Sequence, residues 1–119
     1  MLSISQNLHD SLVRERVSSL VNRIDAWLLQ ELAGWARLHD DRRYMLLREI
    51  LDDAHRSQME VESDFALYVH LMLSRGESWR DVRGISQVQD AVEDPRLNPG
   101  SKLLRIEDAL AGAADVHKA

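Results

Sequence analysis

Apolar positions recur every three or four residues along most of this chain, and that spacing divides it into helices. From about Asp10 to Leu38 one stripe carries Val13, Val17, Leu20, Val21, Ile24, Leu28, Leu32 and Trp35, with Trp27 on its flank. A 3.6-residue period held this long predicts a single amphipathic helix of more than about 40 Å. Gly34 is expected to break or bend it, because glycine inside a helix costs about 1 kcal/mol relative to alanine.

The period resumes in LHDDRRYMLLREILDDAHRSQ, where Asp40 or Asp41 is expected to cap a second helix ending near Ser57. Its inward face reads as Tyr44, Leu47, Ile50, Leu51 and Ala54. The third helix lies in SDFALYVHLMLSRG, with Phe65, Tyr68, Val69, Met72 and Leu73 on one stripe and Gly76 closing it. Leu67 and Leu71 fall off that stripe, among Asp64, Ser74 and Arg75. ESWRDVRG reads as a connector bearing an isolated Trp79. A short fourth helix carries Ile85, Val88 and Val92 and is stopped by Pro95. Asn98 and Pro99 then restart the chain as cap and first helical residue, and Leu103, Ile106 and Leu110 face inward. The stretch 111–119 reads as a fraying tail. The expected architecture is all-α, a compact single-domain bundle of about five helices over residues 1–119.

Composition narrows the function classes. Asp and Glu outnumber Lys and Arg by 20 to 15, and there is no cysteine, which excludes disulfides and thiolate chemistry. The N-terminal MLSISQNLHDSLVRERV lacks a basic region followed by an apolar run, so no signal peptide is expected, and no apolar run is long enough for a membrane span. A cytoplasmic protein is the expectation. Between Glu49 and Asp64 six carboxylates face Arg56 alone, the reverse of the balance that a duplex-binding surface needs. Arg75, Arg80 and Arg83 precede a short helix in the manner of a helix-turn-helix, but Ser86, Gln87 and Gln89 supply that helix with no cation for phosphate.

Candidate chemistry is sparse. Asp52-x-x-His55 has the spacing of half a carboxylate-bridged metal site, without the second half. The Asp52-Asp53 and Glu60-x-Glu62 pairs read as solvated helix faces. LNPGSK lacks the glycine spacing of a phosphate loop. No catalytic residue, cofactor or metal is expected. The surplus apolar residues Leu67, Leu71 and Trp79, with Arg75 beside them, read instead as a candidate protein-binding patch. Helices packed on both sides of the third helix would also account for those leucines, as would a second copy of the chain pairing about a two-fold axis.

From about Leu20 to Leu110 the chain resembles a family of small helical proteins and domains associated with bacterial type VI secretion, encoded beside toxic effectors and the adaptor chaperones that load them. The resemblance rests on a helix ending in Ala54, then Asp64, Phe65, Ala66, Tyr68, Val69, Leu71, Met72, Leu73, Gly76 and Trp79 in the pattern D-hydrophobic-A-x-Y-hydrophobic-x-LML, a glycine and an aromatic. Asp94-Pro95 and the P-G-x-K-L restart of Pro99, Gly100, Lys102 and Leu103 complete it. Two positions depart: Gln58 stands where the family has glycine, and Glu60 where it has a capping Thr or Ser, so that Ser63 is expected to start the third helix later. Asp64, Tyr68 and Gly76 are the motif positions to locate. The resemblance implies a non-catalytic co-chaperone that binds an adaptor chaperone or the effector it carries. An immunity protein that inhibits a cognate toxin is the first rival, and a helical DNA-binding regulator the second.

Overall fold

The computed structural model describes the backbone of residues 2–118 and the side chains of residues 16–112. It is all-α. The helices are α1 (Leu2–Glu31), α2 (Asp40–Arg56), α3 (Glu62–Met72), α4 (Trp79–Arg83), α5 (Ser86–Glu93) and α6 (Pro99–Lys118), with a 3-10 turn at Trp35–Arg37. The chain divides into two compact units, Met1–Leu47 and Arg48–Ala119, and the division falls inside α2. No helix among the described residues is long and apolar enough to cross a membrane.

In the first unit, α1 buries Val21, Ile24 and Leu28 but stops at Glu31 rather than continuing to Leu38. Gly34 has φ −88°, a conformation open to any residue, so glycine's freedom is not what turns the chain. The turn is held by Asp25. Its carboxylate accepts from Trp35 Nε1 at 2.7 Å and Arg43 Nε at 2.9 Å, while Arg43 also donates to the Leu38 carbonyl at 2.7 Å. Trp35 is therefore buried as predicted, but in the 3-10 turn. The cap of α2 also differs from expectation. His39 Nδ1 accepts the Asp41 N–H at 3.2 Å, and Asp40 pairs with Arg43 instead. Along α2, Tyr44 is exposed and Leu46 takes the inward place assigned to it.

In the second unit, Ile50, Leu51 and Ala54 are buried as the pattern predicts. α2 ends in a Schellman turn: the Met59 N–H reaches the Ala54 carbonyl at 3.1 Å and the Gln58 N–H reaches that of His55 at 3.0 Å. Such a turn places its C′ residue in the left-handed region, and Gln58 has φ 71°. A side chain there costs about 1–2 kcal/mol in backbone strain, against about 0.5–1 kcal/mol for the extra unfolded-state entropy of glycine. Gln58→Gly is thus expected to raise stability by about 0.5–1 kcal/mol in urea unfolding. A loss would show that the Gln58 side chain contributes more than its backbone costs.

α3 starts at Glu62 behind Val61, which offers no side-chain cap. Ser63 lies within the first turn and does not delay the start as expected. The acidic Glu62 and Asp64 meet the positive end of the helix dipole there. The helix closes at Met72, and Gly76 follows in the next turn with φ 97°, donating to the Leu73 carbonyl at 3.1 Å. The stretch expected as a connector contains α4, and both Trp79 and Val82 of that helix are buried.

α5 buries Val88, Ala91 and Val92, ending at Asp94-Pro95. Asp94 accepts from the Arg96 side chain at 3.1 Å and from its backbone N–H at 2.9 Å, bonds that hold its carboxyl down at about 2. Asn98 Oδ1 then accepts the Ser101 N–H at 2.8 Å, with Pro99 as the first residue of α6. Leu103 and Ile106 are buried where α6 packs on α3 and α5. Its backbone continues as helix to Lys118, through most of the stretch expected to fray, while Ala119 lies outside the described residues.

Candidate protein-binding site

α3 separates the two leucines that its sequence leaves off the main stripe. Leu71 is 8% exposed and Leu67 38%. Leu71 therefore belongs to the core, as does Trp79 at 5%. The indole Nε1 of Trp79 donates to Glu49 at 3.3 Å, and the Arg80 guanidinium lies 4.9 Å from the ring centroid. Neither Leu71 nor Trp79 can form part of an exposed patch in this fold. Of the four candidate binding residues, Leu67 and Arg75 face solvent, and Arg75 forms no hydrogen bond or ion pair among the described residues.

Tyr68, Val69, Leu71, Met72 and Leu73 are all buried, so the fixed motif positions are largely those that build the core. The two unspecified positions within the motif are Leu67 and His70, an i, i+3 pair on one side of α3. His70 is half-buried beside the exposed Leu67.

Tyr68 sits fully buried and donates its hydroxyl to Asp53 Oδ2. The same oxygen accepts from Arg83 Nε at 2.8 Å, and Arg83 reaches Glu93 at 3.6 Å. Burial and the Asp53 carboxylate push the Tyr68 hydroxyl far above its ordinary range, so it stays neutral. Burial disfavours the Arg83 charge, yet Asp53 outweighs that effect and the guanidinium is held more firmly protonated. Arg83, considered above as a phosphate contact, is committed to this internal pair.

Beside that pair, Lys102 is 3% exposed and donates to the Val92 carbonyl at 2.7 Å and the Ser57 carbonyl at 3.2 Å. Val92 belongs to the last turn of α5, and Ser57 directly follows α2. The ammonium therefore lies at the negative ends of two helices, which offsets part of its desolvation. This supplies a structural reason for the lysine of the P-G-x-K-L restart. Among the described residues no buried side-chain nitrogen or oxygen lacks a partner. The cluster locks α2, α3, α4, α5 and α6 together.

Sequence reasoning missed Asp53, which had been grouped with Asp52 on a solvated face. The signal was present in the spacing: Leu46, Ile50, Asp53 and Ser57 lie at i, i+4, i+7 and i+11, so Asp53 shares the buried stripe while Asp52 points to solvent. Asp52 and His55 are both exposed, and no group of three or more His, Asp or Glu among the described residues is placed to hold a metal ion. Compared with known protein families, curated proteins and solved structures, the chain matches none of them.

Proposed function

We propose that the protein is a non-catalytic co-chaperone of bacterial type VI secretion that binds, in the cytoplasm, an adaptor chaperone or the effector it carries. The family resemblance supplies the system. The observation that carries the binding role is Leu67, a leucine left exposed on a helix whose fixed motif positions are otherwise largely spent on the core. An exposed apolar side chain on a helix otherwise turned inward is available to a partner, and Arg75, which forms no side-chain hydrogen bond or ion pair among the described residues, supplies a charge near the same helix's end.

The test is capture of partners from the native bacterium by the tagged chain, compared with Leu67→Asp. The substitution is expected to leave helical circular dichroism unchanged and to cost no more than about 1 kcal/mol, as surface changes do, while abolishing capture of adaptor or effector. Leu71→Asp, by contrast, would bury an unpaired charge and unfold the chain. Undiminished capture by Leu67→Asp would remove α3 from the interface. Capture of a toxin without its adaptor would favour inhibition over loading.

A further inference from the structure

α5 and α6 pack against each other and leave a groove of about 1070 Å³ along their outer side. Its position follows from spacing: Gln87 and Ala91 of α5 and Asp94 just past its end line one side, and Arg105, Asp108 and Gly112 of α6 the other. Both sets fall at i, i+3 or i+4, and i+7, so each helix presents one straight stripe. The floor is low because Ala91, Ala109 and Gly112 are small.

The walls carry four carboxylates against two guanidinium groups. One of those guanidiniums, Arg96, is occupied by Asp94. The carboxylates of Asp90 on the α5 wall and Asp108 on the α6 wall take part in no hydrogen bond or ion pair among the described residues. Among the described residues the groove thus has one unpaired carboxylate on each wall, with Arg105 as the remaining cation on the α6 side, above a shallow, small-residue floor. A helix laid into it would need bulky apolar side chains downward and cations on both flanks.

We infer that the α5–α6 groove is a docking site for a basic amphipathic helix of a partner protein, with Asp90 and Asp108 pairing its flanking Lys or Arg residues and Ala91, Ala109 and Gly112 receiving its apolar face. The inference goes beyond the secretion role. It requires only that the protein acts by binding, and it places a second contact away from Leu67.

A Cβ added at Gly112 meets no atom within 4 Å. Gly112→Leu should therefore fill the groove without disturbing the fold, and it favours the helix. The probe is a fluorescent peptide of about five helical turns, with a leucine stripe flanked by lysines; its control has every lysine replaced by glutamate. Fluorescence anisotropy is expected to show micromolar binding of the lysine peptide and none of the control. Gly112→Leu, and separately Asp90→Lys with Asp108→Lys, should each weaken binding at least about tenfold, a difference of about 1.4 kcal/mol. Leu67→Asp should leave it unchanged. Equal binding to Gly112→Leu, equal binding of the glutamate control, or no binding of the lysine peptide would each overturn the inference. Peptide binding in the groove alongside failed capture of any adaptor or effector would sink the secretion role and leave the groove standing.

Discussion

Asp53→Ala is expected to destabilise the protein by about 3–5 kcal/mol, the usual consequence of removing one partner of a buried ion pair. The carboxylate accepts from both Tyr68 and Arg83. Its loss strands a buried hydroxyl and leaves Arg83 with Glu93 alone, 3.6 Å away at a more exposed position. Against a total stability of about 5–15 kcal/mol, such a loss would bring the chain close to unfolding at ordinary temperature. Urea unfolding at neutral pH measures it directly. Asp53→Asn keeps an acceptor for Tyr68 without the charge and should fall between wild type and alanine. Pairing Asp53→Ala with Arg83→Met should restore part of the loss, since the stranded cation is removed along with its partner. A loss below about 1 kcal/mol, the level of a solvated pair, would mean that water reaches the cluster and replaces the missing bonds.

Trp79→Ala is expected to cost about 3–5 kcal/mol, the range for truncating a buried large aromatic. The indole is almost wholly buried and donates to Glu49 of α2. Truncation therefore leaves a cavity and removes the ring over which Arg80 lies. The contrast with Leu67→Asp makes the measurement diagnostic. If Trp79 were a docking residue, its removal would weaken partner capture at little cost to stability. In this fold the order is reversed, with large destabilisation and any loss of capture following from the damaged fold. A cost near 1 kcal/mol would return Trp79 to the surface.

These two residues also mark where the sequence could and could not be read. The helix signals that depend on one local rule were legible. Asn98 and Pro99 start α6 as cap and first residue, and Asp94-Pro95 follows the end of α5. The buried stripe of α2 was legible from Leu47 to Ala54, but Leu46 rather than Tyr44 extends it inward, because helical spacing alone leaves the edge of a stripe open. α4 escaped because one and a half turns are too short to show a period, so its Trp79 looked isolated. The end of α1 was misplaced for a different reason. Asp25 bonds to Trp35 and Arg43, ten and eighteen residues further on, and such contacts cannot be read from the periodicity of a single segment. The same applies to the candidate site. Leu67 and Leu71 are alike in type and helical neighbourhood, and only the packing of α3 assigns one to the core and the other to solvent.

Lys102 carries a consequence for the order in which the second unit folds. Its bond to the Ser57 carbonyl spans 45 residues of chain, so the C-terminal end of α2 cannot acquire that partner until α6 has been made and docked. α2 and α3 leave the ribosome before α6, with the Ser57 carbonyl still lacking the lysine that donates to it. The last stabilising bonds at the end of α2 therefore form late, and the nascent chain passes through a stage in which its central helices exist without their clasp. Unfolding should run the other way: release of the lysine loosens α2, α5 and α6 together, and amide exchange near Ser57 and Val92 should report the same opening event.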